Sequence, residues 1–328
     1  KMSYNNFYNI KNKFIIKRLK YFDKFPRGLN YYLYSIFSIL NSNFKNQDLF
    51  ITRNFFTSFL LSILKQKHIF EIHDDIAIEG RLVRFLVKRF NILNSKSILK
   101  ITATTKTLKK KYFHYGVNKK KIIVLHNASS LKSNMKKYYL KPKKLKIGYF
   151  GTIYESRGIE MIIKISKIDN KNDYYIYGGT NEQISKIKQN VKNSNIHFFS
   201  HIPYSNIYKK LLGIDICILP YTSKITVSGN VGDISNYTSP LKIFDYMKLG
   251  KLILCSNLKV LREVLSHKKN CILVKKFENE KEWIKEINKI NQNIKKYDKI
   301  RKAAFEYAKK HDLKWRVSKL LSFYNFSN

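Results

Sequence analysis

The residues best equipped for chemistry sit in one run, Tyr237-Thr-Ser-Pro-Leu-Lys-Ile-Phe-Asp-Tyr-Met-Lys-Leu-Gly250. Ser239 is a good helix N-cap and Pro240 suits the first helical position, so a helix is predicted over 240–248 whose free amides favour phosphate. Lys242 falls in the first turn, where a cation opposes the helix dipole unless an anion offsets it. That placement suggests a ligand. Asp245, farther along the same helix, could accept hydrogen bonds from sugar hydroxyls. The plainer account of the same residues is an ordinary capped helix with a solvated Lys and Asp. Gly148-Tyr-Phe-Gly-Thr-Ile-Tyr-Glu-Ser-Arg-Gly-Ile-Glu160 reads as a strand, a glycine turn and a helix start carrying Arg157, or as a turn with a surface arginine. Phe70-Glu-Ile-His-Asp-Asp75 ends a strand with His73 and two carboxylates, although a lone histidine is commonly a structural hydrogen-bonder.

Short β-rich runs alternating with helical patterns must position these residues, which is the signature of βα units around a parallel sheet. Strands are predicted at Leu49–Thr52, Ile69–His73, Ile98–Thr102 and Ile122–Leu125, with helices near 54–66, 79–92 and 105–115. A Lys-rich stretch over 131–144 reads as a linker. The rhythm then restarts, with strands at Leu145–Phe150, Tyr174–Tyr177, Ile196–Phe199, Ile214–Leu219, Leu252–Cys255 and Cys271–Val274. Helices fit at 158–168, 182–192, 205–212, 240–248, 259–265 and 280–293, and a helical tail at 300–328 packs on one or both domains. The predicted fold is therefore α/β, two doubly wound Rossmann-like domains facing a cleft at the carboxyl ends of their strands, the first over 1–130 and the second over 145–299. Residues 1–30 hold no opening strand with a Gly-rich turn, so the first domain reads as shortened at its N-terminus.

With 44% hydrophobic residues over 328 positions, the chain is too apolar for global disorder, and Gly 12 and Pro 5 exclude collagen-like repeats. Cys217, Cys255 and Cys271 each sit in an apolar run and match no zinc or redox spacing, which suits reduced core residues in a cytosolic protein. The formal charge of +42 is uneven, since residues 80–154 carry 20 Lys or Arg and no carboxylate. That block should attract phosphate, whether on lipid, glycan or nucleic acid, although a solvated Lys-rich face needs no partner. No segment has the 18 uninterrupted apolar residues of a spanning helix, and the opening residues lack a signal peptide's apolar core.

The run Ser239-Pro-Leu-Lys-Ile-Phe-Asp-Tyr-Met-Lys-Leu-Gly-Lys-Leu-Ile, followed by Leu261-Arg-Glu-Val-Leu265, resembles the donor-binding signature of family 4 retaining glycosyltransferases of the GT-B fold, the glycosyl transferases group 1. Gly148 to Glu160 resembles that family's opening strand and turn, Tyr174 to Gly179 and Asp215 to Tyr221 resemble its later strands, and Glu71-Ile-His-Asp74 resembles its Glu-Leu-His-Asp segment. The resemblance implies that Gly151, Arg157, Ser239, Leu241 and Lys242 bind the donor diphosphate, that Asp245 holds the ribose, and that His73 is catalytic, on the sugar side. The chain departs from the family at Tyr237, where a second acid is usual, and at Thr152, where many members have Arg.

The resemblance thus implies metal-independent transfer of a sugar, with retention, from a nucleotide sugar to a hydroxyl of a glycan or lipid-linked acceptor. No metal or cofactor is expected; the nucleotide sugar is a substrate. Asp74-Asp75 is not the spaced Asp-x-Asp pair of metal-dependent transferases, and no Gly-x-Ser-x-Gly elbow or phosphate-binding Gly-rich loop supports a hydrolase or nucleoside triphosphatase. The alternatives are a nucleotide-sugar epimerase of the same fold and a non-catalytic basic protein binding membrane or nucleic acid. The latter lacks any recognised nucleic-acid module, so no specific nucleic-acid partner is expected. The expected location is cytoplasmic, with peripheral attachment of residues 80–154 to an anionic inner membrane face as a separate expectation.

Overall fold

The computed structural model describes residues 16–17, 19, 25–42, 44, 49–132, 144–226 and 233–325. They fall into two compact units, one drawn from stretches 14–126, 237–239 and 314–328, the other from 1–13, 127–236 and 240–313. Of the predicted linker, residues 133–143 lie outside the described residues.

The first unit runs α1 (Arg27–Leu40), β1 (Phe50–Thr52), α2 (Phe55–Ile63), β2 (His68–Ile72), α3 (Arg81–Arg89), β3 (Ile98–Ala103), α4 (Lys106–His114) and β4 (Ile122–Val124). Its strands form a parallel sheet in the order β1-β2-β3-β4. Helix starts follow from local polar groups: the Asn54 side chain accepts from the Thr57 amide, and Thr105 from that of Leu108. β2 is buried at every position, as expected of a strand covered on both faces.

The second unit runs β5 (Lys146–Phe150), α5 (Ile159–Ile168), β6 (Asp173–Tyr177), α6 (Asn181–Asn190), β7 (Ile196–Phe199), α7 (Tyr204–Leu212), β8 (Ile216–Leu219), α8 (Leu241–Lys248), β9 (Leu252–Ser256), β10 (Ile272–Val274), α9 (Glu280–Gln292) and α10 (Asp298–Lys310). Six parallel strands take the order β10-β9-β8-β5-β6-β7. β8 and β9 are buried throughout, and all three cysteines are buried free thiols. The final helix, α11 (Leu313–Asn325), is counted with the first unit from Lys314 onward. There Leu320 packs with Ile69 and Leu125.

Two expectations need correction. The helix predicted at 259–265 is one 3-10 turn, Leu261–Glu263. Asn270 donates to the Val264 carbonyl and accepts from the Ser266 amide, taking up backbone groups that a continuing helix would have used. The helix predicted from 240 starts at Leu241, with Pro240 at the N-cap position, extended at ψ 118°, and no side-chain cap. Ser239 is therefore not the N-cap.

Three contacts fix α8 within its unit. The Phe150 amide donates to the Tyr246 hydroxyl at 3.2 Å, Arg301 Nε donates to the Gly250 carbonyl at 2.7 Å, and Lys248 pairs with Asp312 at 3.2 Å. The first ties the helix to the end of β5. The other two hold its C-terminal side against the segment 298–312. Among the described residues no helix is long and apolar enough to cross a membrane.

Candidate functional site

At the carboxyl end of β5 the chain turns through Gly151 at φ +148°, its amide donating to the Tyr177 carbonyl at 2.8 Å. Gly178, at the end of β6, has φ +136°, and a Cβ there would lie 1.9 Å from the Gly151 carbonyl oxygen. The two turns are therefore pressed backbone to backbone, a contact that only glycine permits. Beside them the rings of Phe150, Tyr177 and Phe199, at the ends of β5, β6 and β7, stack at 4.7 and 4.6 Å between centroids. Strand register dictates this: Phe150 pairs with Tyr177 and Tyr177 with Phe199. A cavity of about 100 Å³ opens here, bordered by Gly151, Gly178, His201, Lys242 and Asp245.

Lys242, in the first turn of α8, carries its Nζ 4.2 Å from the Tyr149 ring centroid and 5.7 Å from that of Tyr221. Arg157 places its guanidinium 5.4 Å from the same Tyr221 ring and donates to the Thr226 carbonyl at 3.4 Å. Its 3-10 turn, Glu155–Arg157, is anchored by Ser156, whose hydroxyl accepts from the Thr226 amide. Burial, with the Arg157 charge adding to it, brings the Lys242 ammonium down to about 7. Among the described residues neither cation forms an ion pair with a carboxylate. Aromatic faces compensate part of that charge, and an anion would compensate the rest.

Asp245 is 5% exposed. Its Oδ1 accepts from the Ser129 hydroxyl at 2.6 Å and the Tyr204 hydroxyl at 3.0 Å, and Ser130 donates to Tyr204 at 3.1 Å. Burial raises the carboxyl to about 6 despite these bonds. It is thus a packed, hydrogen-bonded acid at the cavity wall, and not the solvated residue of the plainer account.

The structure brings Gly151, Arg157, Lys242 and Asp245 together in the second unit, with Leu241 opening their helix and half exposed. His73 and Ser239 belong to the first unit. Tyr237, also there, is buried, with Lys111 Nζ 5.1 Å from its ring centroid. Asp75 is committed locally, binding Lys111 at 2.5 Å, the Tyr115 hydroxyl at 2.7 Å and the Ala77 amide at 3.0 Å. No three His, Cys, Asp or Glu gather as a metal site among the described residues.

His73 Nε2 hydrogen-bonds Glu71 Oε1 at 2.5 Å, while Arg316 of α11 donates to Glu71 Oε2 at 2.5 Å and to the His126 carbonyl at 3.0 Å. Burial pushes the Glu71 carboxyl up, but the His73 hydrogen bond and the Arg316 charge outweigh it and hold it at about 2. A buried pair broken from one side leaves an uncompensated charge, so Arg316→Ala is expected to destabilise the protein by about 3 kcal/mol at pH 7. Because the Glu71 carboxyl is depressed when folded, this stabilisation is present above about 4.5 and lost as pH falls towards 2. Denaturant melts of both proteins should differ at pH 7 and converge in strong acid; coincident melts at pH 7 would show the pair to be inert.

No local sequence pattern marks Ser129, Tyr204, Arg316 or the Tyr149 and Tyr221 rings as parts of these clusters. Glu71 was within reach, since strand residues two apart share a face.

Two Rossmann-like units, each built on a parallel sheet, are the plan of the GT-B glycosyltransferases. The family model for glycosyl transferases group 1 matches residues 131–307. The chain belongs to that family and is a transferase. Solved structures agree on the fold. Sucrose-phosphate synthase from Thermosynechococcus elongatus aligns at TM-score 0.68 and 14% identity, covering 92% of this chain and 79% of that one. A glycosyltransferase from Rickettsia africae aligns at 0.65 and 16%, covering 94% and 83%. Anabaena HepE in complex with UDP-glucose aligns at 0.63 and 14%, covering 84% and 78%. No curated protein matches by sequence.

Proposed function

We propose that the protein transfers a sugar from a nucleotide-sugar donor to a hydroxyl of a glycan or lipid-linked acceptor, with retention and without a metal or other cofactor. The observation that carries this is the Arg157–Lys242 cation pair, held on aromatic rings beside the cavity with no carboxylate partner among the described residues. In the reaction the bond from the anomeric carbon to the donor phosphate breaks and a bond to the acceptor oxygen forms. The nucleoside diphosphate leaves with the bonding electrons, and the acceptor proton passes to a phosphate oxygen. Arg157, Lys242, the Gly151 turn and the amides opening α8 at Leu241 are assigned to the diphosphate, supplying charge where it grows. Ser239, just before that helix, is assigned with them. Asp245 is assigned to the ribose, and its bonds from Ser129 and Tyr204 would fix the carboxylate in orientation.

His73 is assigned to the sugar side. With Nε2 engaged by Glu71, Nδ1 is the ring nitrogen left to meet a hydroxyl. Retention and membership of family 4 rest on the residue resemblance, and a UDP-sugar donor is supported by HepE, a structural neighbour solved with UDP-glucose. The setting we propose is cytoplasmic, with peripheral contact at the inner face of the cell membrane.

Incubating the purified protein with a panel of nucleotide sugars and glycan acceptors, with mass detection, should reveal nucleoside diphosphate release coupled to a sugar-extended acceptor. Failure to bind any nucleoside diphosphate would sink the proposal. An isomerised nucleotide sugar formed without acceptor would make the protein an epimerase.

A further inference from the structure

We propose that the outward face of α3 is a docking surface for an anionic lipid bilayer. This deepens the peripheral setting proposed above and does not depend on the transfer chemistry. The nine residues Arg81–Arg89 divide sharply. Val83 and Val87, one turn apart, are buried and face the unit's interior. Leu82 and Phe85 are 50% and 60% exposed, with Ile78 just before the helix and Phe90 just after it also exposed. Arg81, Arg84, Lys88 and Arg89 are all exposed beside them. At about 100° per residue, Phe85 sits at the middle of the outward face with Arg81 and Arg89 about 40° to either side. The result is an apolar wedge ringed by four cations.

Two costs of this face in water point to its partner. Large apolar side chains are left solvated, and four like charges are crowded on nine residues with no carboxylate anywhere in 80–154. An anionic bilayer relieves both, since Leu82 and Phe85 enter the acyl boundary while the cations meet lipid phosphates. Nucleic acid would satisfy the cations but leave the aliphatic Leu82 and Ile78 in water, and therefore fits less well. The helix is too short to span a membrane, so the contact is interfacial.

The test is co-sedimentation of the full chain with phosphatidylcholine vesicles, with and without phosphatidylglycerol, at low and high salt. Recovery is expected with the anionic vesicles alone and should fall with salt. Leu82→Ser with Phe85→Ser should weaken partitioning at least tenfold, and Arg84→Gln with Lys88→Gln should weaken it and flatten the salt dependence. Both double variants change exposed positions and should keep the wild-type affinity for nucleoside diphosphate. Equal recovery with both vesicle types, undiminished partitioning of the Leu82/Phe85 variant, or retention on single-stranded nucleic acid without vesicle binding would each overturn the proposal. Loss of nucleotide binding with vesicle partitioning intact would count against the transferase reading and leave this one standing.

Discussion

Lys242→Ala is expected to lower kcat/KM for the nucleotide-sugar donor by about a thousandfold, the upper end of what one preorganised donor contributes at a site of growing negative charge. Protein packed around the ammonium and a guanidinium sharing its Tyr221 ring bring its pKa to about 7, so the free protein holds this charge only loosely. A bound diphosphate would offset that cost, which gives the prediction a signed pH dependence. The cation is present below about 7 and lost above it, so nucleoside diphosphate affinity should fall as the pH rises from 7 to 9. Lys242→Arg, which stays charged, should remove that slope while retaining binding. Titration calorimetry across this range decides the matter, and a flat wild-type profile would remove Lys242 from the diphosphate site.

The second large effect concerns the backbone. Gly178→Ala is expected to destabilise the protein by at least about 3 kcal/mol, combining strain at positive φ with a Cβ 1.9 Å from the Gly151 carbonyl oxygen. That oxygen is backbone and cannot swing away. Relief must come from separating the ends of β5 and β6, which displaces Gly151 and should weaken nucleotide binding as well. Gly28→Ala is the control: it lies in α1 with nothing within 4 Å of its Cβ, and should be neutral or stabilising. Equal denaturation midpoints for wild type and Gly178→Ala would show that the turns yield without cost.

The fold was legible because its strands are buried on both faces and therefore appear as short apolar runs, such as Ile216–Leu219 and Leu252–Ser256. Boundaries slipped where the decision rested on a few polar groups. Pro240 suits the first helical position by type, but its extended ψ makes it the cap and displaces Ser239. The cation pair was half legible: Lys242 was out of place for a helix start, whereas the shared Tyr149 and Tyr221 rings depend on which strands lie adjacent. Asp245 was visible as an acid, but not its burial, because Ser129 stands 116 residues away in the chain. The Glu71–Arg316 pair spans 245 residues and leaves no local signal.

The six-stranded sheet reverses its winding at the β5–β8 pair. Successive connections run outward in one direction from β5 to β6 and β7, and in the other from β8 to β9 and β10. At that reversal the loops after β5 and β8 stay in contact: the Thr226 amide donates to the Ser156 hydroxyl, the Thr222 hydroxyl donates to the Ser156 carbonyl, and a Cβ on Gly158 would lie 1.7 Å from the Pro220 carbonyl oxygen. The two loops must therefore change together when one ligand is exchanged for another, while the apolar interior that folds the unit carries over unchanged.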